Sequence, residues 1–300
     1  MAPLFLGHYT RLVFLGDSNV DNGNVLRMTG GTRPLPSAVY WRGRYCNGKA
    51  WCDHLGDMAG VPVVNLAHGC ATIDNAIVAG TVPMPGGGRA KVPSVADQVD
   101  QLASPAGQLG PGDLVFVQVG SNDLNSLIDA GPTYRRKRDF SPALLAGRLA
   151  AAIERLCVHA GACTVVVLNV RPREDYPAVL ALGDPRKREQ TRQATAAFNA
   201  ALRTSVDALR RALGRSHTID VFDTYAFQKG IASDPAAYGI DPDTQTPCYD
   251  DAPAAMAGGA PQLRSPDSKL FVDGTHLAKR AQALLAADVA RRVALLRTQV

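Results

Sequence analysis

The sequence predicts an α/β fold, a three-layer α/β/α sandwich with a mostly parallel five-stranded sheet between two layers of helices. Short runs rich in Val, Leu, Ile and Phe alternate along the chain with longer segments of helical periodicity. The fourth apolar run is nearly continuous in Val and Leu, which is typical of a strand buried on both faces. Strands separated by helices favour parallel pairing.

Each element follows from its own pattern. The five predicted strands cover residues 12–15, 61–66, 113–119, 163–170 and 217–222. Helical spacing of apolar residues predicts helices over residues 50–58, 95–102, 142–159, 188–213 and 277–296. Pro and Gly predict loops over residues 28–43, 79–93, 131–141 and 232–268. No internal repeat divides the chain, so we expect one domain over residues 1–300.

The composition excludes several classes of protein. With 46% apolar and 20% charged residues, it is that of a soluble globular protein. No apolar run is long enough to predict a transmembrane helix, and too few residues precede the first strand to predict a signal peptide, so the compartment stays open. The net charge of +5 comes largely from runs at 135–138 and 186–188. We interpret these as solvated surface rather than a nucleic-acid site, although peripheral membrane contact stays open.

The cysteines do not predict a metal site. None of the six has the spacing of a zinc ligand, and we expect neither a metal nor a cofactor. Cys46 with Cys52, or Cys157 with Cys163, could form disulfides, and free thiols are equally compatible with the sequence.

Polar residues that could perform catalysis lie where predicted strands or long loops end. They are Ser18, Gly69–Cys70, Asn122 and Asp273–His276. A serine hydroxyl is a weak nucleophile and needs a base in hydrogen-bond reach. His276 could accept its proton, and Asp273, three residues earlier, could orient the imidazole. The pattern predicts Ser18, Asp273 and His276 as catalytic residues.

An acyl-transfer site also needs donors for the developing oxyanion. The backbone N–H of Ser18, a backbone N–H at Gly69 or Cys70, and the Asn122 amide could supply them. Asp17 and Asp123, next to two of these residues, are expected to support the site. Each residue alone could equally be a helix cap or a turn, but their joint occurrence at four strand or loop ends favours an enzyme.

The same segments resemble the conserved blocks of the GDSL (SGNH) hydrolase family. They are Gly16–Asn24 (Gly-Asp-Ser-Asn-Val-Asp-Asn-Gly-Asn), Gly43–Gly48, Asn65–Thr72, Gly120–Asp123 and Asp273–His276, in family order from residue 12 to about 290. The Gly43–Gly48 segment is similar to a segment that marks the family branch containing plant and fungal esterases and bacterial phospholipase/acyltransferases. Leucine usually follows the family's serine, and this chain has Asn19 instead.

The resemblance implies a flavodoxin-like SGNH fold with assigned roles. Ser18 would be the nucleophile, His276 the base, Asp273 its orienter and Asn122 an oxyanion donor. Cys70 aligns with the family's oxyanion glycine, so a Cβ would stand near the oxyanion and could slow turnover or narrow the substrate range. A buried, inert thiol is expected there rather than a second nucleophile.

Several functions remain open at this stage. The preferred one is a serine esterase acting on a small-molecule or lipid ester, such as a lipid, an acetyl-sugar or another small acyl ester. An acyltransferase would use the same residues with an alcohol as acceptor, and a non-catalytic binding protein could keep the fold. The segment Gly43–Ala50 approaches a phosphate-binding loop, but Ala50 stands where Ser or Thr should be. The oligomeric state is not predicted.

Overall fold

The computed structural model describes residues 7, 9–34, 39–104, 107–128, 134–136, 140–162, 164–249 and 268–296. The strands are β1 (Arg11–Gly16), β2 (Val63–Asn65), β3 (Val78–Pro83), β4 (Arg89–Lys91), β5 (Asp113–Gln118), β6 (Tyr134–Arg136), β7 (Thr164–Leu168) and β8 (Thr218–Phe222). The α-helices are α1 (Asn24–Met28), α2 (Trp51–Ala59), α3 (Val95–Leu102), α4 (Ser121–Ile128), α5 (Pro142–Val158), α6 (Pro177–Leu180), α7 (Pro185–Leu213), α8 (Thr224–Ser233) and α9 (Lys279–Leu296).

Five strands form the central sheet. Their order is β2-β1-β5-β7-β8, and every neighbouring pair is parallel. This confirms the predicted five-stranded parallel sheet. All five strands therefore end at one edge, which is where open α/β sheets bind their ligands.

The two faces of β1 show why the chain forms three layers. Val13 and Leu15 pack in a core with α3, α5 and α7. Leu12 and Phe14 point the other way and pack in a second core with α2, α8 and α9. Successive strand residues face opposite sides of a sheet, so an uninterrupted apolar strand needs helices on both. The predicted α/β/α arrangement is confirmed.

A second, small sheet corrects one prediction. Residues 79–93 were expected to be a loop, but β3 and β4 pair there in antiparallel fashion, and β6 joins the other side of β3. Gly86, Gly87 and Gly88 all have positive φ angles between the strands, so they form the connection of a hairpin. The pairing of β6 with β3 sets Tyr134 opposite Gly80.

Other boundaries differ by a few residues. Helix α7 begins at Pro185, because Asp184 accepts hydrogen bonds from the N–H groups of Arg186 and Lys187 and caps the helix. In the predicted loop 232–268, α8 continues to Ser233 and a 3₁₀ helix spans Pro235–Tyr238, while residues 250–267 lie outside the described chain. The predicted loops 28–43 and 131–141 also lie partly outside it.

Two findings concern the cysteines and the membrane. Cys46 and Cys52 are buried free thiols, so that conceivable disulfide is not formed, and Cys163 of the other pair lies outside the described residues. Among the described helices, none is long and apolar enough to cross a membrane.

Candidate active site

The candidate nucleophile lies directly after β1. Gly16 ends the strand with φ +146°, and a Cβ there would lie 2.1 Å from the carbonyl oxygen of Gln118 on β5. The side chain of Gln98 also fixes Gly16, because its amide accepts a hydrogen bond from Gly16 N and donates one to Gly16 O. Glycine thus lets β1 and β5 approach closely, and the chain turns to place Ser18 at the carboxyl edge of the sheet.

Ser18, His276 and Asp273 form a continuous hydrogen-bonded series. Ser18 Oγ lies 2.8 Å from His276 Nε2, and His276 Nδ1 lies 2.6 Å from Asp273 Oδ2. Both distances are those expected between a nucleophile, its base and the orienting acid. The structure therefore brings together the three residues predicted to be catalytic.

The loop that carries Asp273 holds its carboxylate firmly. Oδ1 accepts hydrogen bonds from the backbone N–H groups of Thr275 and His276, and Oδ2 accepts one from the Tyr40 hydroxyl. Burial opposes ionisation, but His276 and these donors outweigh it and lower the pKa of Asp273 to about 2. Asp273 is therefore a carboxylate at neutral pH. It can fix the proton on Nδ1, leaving Nε2 to accept one from Ser18.

A tyrosine packs against the candidate base. The ring of Tyr45 lies 5.1 Å from the imidazole of His276, centroid to centroid. A Cβ on Gly69 would lie 2.1 Å from the Tyr45 hydroxyl, so glycine at position 69 leaves room for this ring. The packing restricts the rotation of His276.

Three N–H groups are available near Ser18 for an oxyanion. Within the described residues, the backbone N–H groups of Ser18 and Cys70 donate no hydrogen bond. Asn122 Nδ2 donates to the carbonyl of Ala71, which leaves its second N–H free, and Tyr134 donates to Asn122 Oδ1 and fixes the amide. The Gly69 N–H differs, because it donates to Asp21 Oδ2 at 2.8 Å. Cys70, rather than Gly69, is thus the candidate backbone donor of the pair.

Cys70 has a backbone conformation that favours glycine. Its φ angle is +64°, in the left-handed region that costs a residue with a Cβ about 1–2 kcal/mol. Burial raises the pKa of its thiol to about 11. The thiol is therefore protonated at neutral pH, which argues against a second nucleophile.

The two predicted supporting carboxyls are buried beside the site. Asp17 accepts hydrogen bonds from the backbone and side-chain N–H groups of Asn19, and burial raises its pKa. Asp123 accepts from the backbone N–H of Ile73 with both oxygens, and burial raises its pKa to about 8. The Asp17 contacts fix the turn after β1, and the Asp123 contacts join the segments after β2 and β5.

Ser18 opens into a cavity of about 220 Å³. Its lining includes Ser18, Cys70, Asn122, Tyr134, Tyr176 and His276. The volume is below the roughly 300–1,000 Å³ of typical drug-sized ligand pockets, so it suits a small group. Among the described residues, no three His, Cys, Asp or Glu side chains are grouped so that they could hold a metal ion.

Sequence reasoning missed several residues of the site. Tyr40, Tyr134, Arg171 and Tyr176 have no motif around them, and they reach the site only through contacts between distant parts of the chain. Tyr45 lies inside the Gly43–Gly48 segment that resembles a family block, so that block was the only signal for it.

Comparison with known proteins identifies the family of this chain. The model of the GDSL-like lipase/acylhydrolase family matches residues 12–289. A possible lipase from Chitinophaga pinensis has a similar structure, with 14% identity and a TM-score of 0.51 over 95% of this chain and 98% of that one. A variant of an acetyl-xylooligosaccharide esterase from Geobacillus stearothermophilus has 12% identity and a TM-score of 0.50 over 96% of this chain and 95% of that one.

No curated protein matches the chain. At such low identities the structural likenesses show a shared fold, whereas the family model spans most of the sequence. The chain therefore belongs to the GDSL-like lipase/acylhydrolase family.

Proposed function

We propose that this protein is a serine ester hydrolase that cleaves a small carboxylic ester through an acyl-Ser18 intermediate. The observation that carries the proposal is the series Ser18 Oγ–His276 Nε2–Asp273, with separations of 2.8 and 2.6 Å. A serine placed in this way can lose its proton to histidine as it attacks a carbonyl carbon.

In the first half of the reaction, Ser18 Oγ bonds to the ester carbonyl carbon while His276 Nε2 takes the hydroxyl proton. The carbonyl oxygen becomes an oxyanion, and the N–H groups of Ser18, Cys70 and Asn122 would donate to it. As the intermediate collapses, the carbon–oxygen bond to the alcohol breaks. His276 gives its proton to the departing alkoxide, so a neutral alcohol leaves the acyl-enzyme.

In the second half, water takes the place of the alcohol. His276 accepts a proton from water as its oxygen attacks the acyl carbonyl, and the same N–H groups donate to the second oxyanion. Collapse breaks the bond to Ser18 Oγ, which regains a proton from His276. The carboxylic acid leaves, and the enzyme returns to its starting state.

The size of the cavity supports a short acyl group. About 220 Å³ accommodates an acetyl group and part of an alcohol, but not a fully enclosed long acyl chain. We therefore expect kcat/KM to fall as the acyl chain of a p-nitrophenyl ester lengthens from acetate to octanoate. An acceptor alcohol such as glycerol, added to the assay, shows whether acyl transfer competes with hydrolysis.

The test compares p-nitrophenyl acetate hydrolysis by wild type, Ser18→Ala and His276→Ala. Each substitution should lower kcat by a factor on the order of 10³ or more. Ser216 and His217 provide a matched control, because Ser216 Oγ lies 2.9 Å from His217 Nδ1 at the opposite edge of the sheet. Ser216→Ala and His217→Ala should leave the rate unchanged. A full rate in Ser18→Ala would refute the proposal.

A further inference from the structure

Two buried arginines flank the candidate active site. Arg171 and Arg173 follow β7 and are each 2% exposed. Within the described chain, neither forms an ion pair with an Asp or Glu side chain. A buried charge without a countercharge is costly, and proteins usually pair it. This arrangement therefore needs a physical explanation.

Arg171 lines the cavity and contacts neutral groups. Its guanidinium donates to Gln228 Oε1 at 2.9 Å, Asn19 Oδ1 at 3.0 Å and the backbone carbonyl of Thr275 at 2.8 Å. Its Nε–H makes no hydrogen bond within the described residues. Arg171 thus touches the residue after the nucleophile and the residue before the base.

Asn19 connects this arginine to the nucleophile segment. Its Nδ2 donates to Asp17 Oδ1, and its Oδ1 accepts from Arg171. The leucine that usually occupies position 19 in sequences of this kind could make neither contact. Asn19, which replaces the usual leucine, is therefore linked to Arg171 by a direct hydrogen bond in this chain.

Tyr176, which lines the same cavity, and Arg173, which lies behind the lining residue Asn125, have unused hydrogen-bonding capacity. Arg173 donates from Nη2 to Asn125 Oδ1, but its Nε and Nη1 are buried without a partner, as is the Tyr176 hydroxyl. The Arg171 guanidinium lies 4.8 Å from the centre of the Tyr176 ring. Burial lowers the pKa of Arg173 to about 10, as expected for a cation that has lost its water.

Two carboxyl groups interact electrostatically with these arginines without forming a direct ion pair, Asp17 with Arg171 and Glu174 with Arg173. Glu174 Oε1 accepts from the Tyr225 hydroxyl at 2.5 Å and lies 3.4 Å from Lys229 Nζ. Among the described residues that line the cavity, none is Asp or Glu, and Arg171 carries a positive charge. The cavity therefore favours a group that brings negative charge with it.

We infer that Arg171, Arg173, Asn125 and Tyr176 form an anion subsite that binds a carboxylate or phosphate on the alcohol portion of the ester substrate. This inference rests on the proposed esterase function. Arg171 and Tyr176 would contact the anion from the cavity wall, and Arg173, held by the lining residue Asn125, would add positive charge behind them. We assign the anion to the alcohol portion because Arg171 donates to the backbone carbonyl of Thr275, which precedes His276, the residue that protonates the leaving alcohol.

Three acetate esters that differ in one group test the inference. They are 4-acetoxybenzoate, 4-acetoxyphenyl phosphate and the neutral 4-acetoxybenzamide. For wild type, kcat/KM should be at least about tenfold higher for one or both anionic esters, since a site built to bind a charged group discriminates against an analogue that lacks it. The faster anion identifies carboxylate or phosphate as the natural group.

Variants locate the preference. Arg173→Met and Tyr176→Phe should each reduce the ratio of anionic to neutral kcat/KM severalfold, whereas Arg211→Met, which removes a distant positive charge on α7, should keep the wild-type ratio. If Arg173→Met does not fold, inhibition of the wild-type enzyme by benzoate, compared with its inhibition by benzamide, gives an independent measure of the preference for an anion. Equal kcat/KM for the three esters would overturn the anion subsite and leave the esterase intact. Failure to cleave any of these three esters or p-nitrophenyl acetate would overturn both proposals.

Discussion

The Tyr40 hydroxyl donates a 2.6 Å hydrogen bond to Asp273 Oδ2, the same oxygen that faces His276 Nδ1. The contact joins residues 233 positions apart and fixes the carboxylate that orients the imidazole. Tyr40→Phe should lower kcat about tenfold, because a hydrogen bond to a charged group contributes roughly 1.5–3 kcal/mol.

Tyr9 supplies the control for this prediction. Its hydroxyl donates to Thr164 Oγ1 at 3.1 Å, also in a buried setting but away from the site. Tyr9→Phe should lower the free energy of unfolding without changing kcat. Kinetics and thermal unfolding of both variants separate the two effects, and equal kcat in Tyr40→Phe and wild type would show that Asp273 is held well enough without the hydroxyl.

Asn122 should contribute to transition-state stabilisation. Its side chain is fixed by Ala71 O and the Tyr134 hydroxyl, with one N–H left to donate. Asn122→Ala should lower kcat by about 10²–10³-fold with a smaller effect on KM, as for loss of one oxyanion donor. Tyr134→Phe, which frees the amide but keeps its N–H, should cost much less. A full rate in Asn122→Ala would remove this residue from the oxyanion assignment.

Substitutions of Cys70 test whether its backbone N–H or its thiol contributes to activity. Cys70→Gly keeps the N–H and relieves the strain of φ +64°, so kcat for the acetate ester should be equal to or higher than wild type. The thiol, whose pKa of about 11 keeps it protonated at neutral pH, should react slowly with iodoacetamide. Loss of activity in both Cys70→Gly and Cys70→Ser would instead assign the thiol a chemical role.

Asp123 should make stability depend on pH. Burial raises its pKa from 3.8 to about 8. Between these two pH values the folded state therefore keeps a proton that the unfolded state has released. This contribution is fully present below pH 4 and is lost as the pH rises to 8, by about 1.4 kcal/mol per pH unit at most.

Denaturant unfolding at pH 5 to 8 measures this effect. Asp123→Asn should flatten the slope relative to wild type. Asp97→Asn is the control, because the pKa of Asp97 is lowered and its titration falls below this range. Parallel slopes in wild type and Asp123→Asn would mean that Asp123 is ionised in the folded protein.

The fold followed from local patterns wherever the pattern was strong. Apolar runs such as Leu12–Leu15 predicted the central strands, and α3 has the predicted bounds of Val95–Leu102. The predicted loop over residues 79–93 is wrong because Pro83 and Gly86–Gly88 disfavour only the interior of a strand. They lie at the end of β3 and in the turn, where those residues are expected.

The site was predictable only in part, for a physical reason. Ser18 and His276 stand in short motifs at the ends of elements, so the sequence could single them out. The contact of Gly69 N–H with Asp21, which favours Cys70 as the donor, forms only when the segments after β1 and β2 meet. Tyr40 and Arg171 likewise act through tertiary contacts, and no local pattern specifies a partner more than 100 residues away.

The most direct test of the central claim is labelling with a fluorophosphonate, read by intact-protein mass. An activated Ser18 should give a single adduct on wild type within minutes, no adduct on Ser18→Ala, and much slower labelling of His276→Ala. Ser216→Ala should label like wild type. A folded wild-type protein that takes up no label, or a Ser18→Ala variant that labels as fast as wild type, would contradict the account.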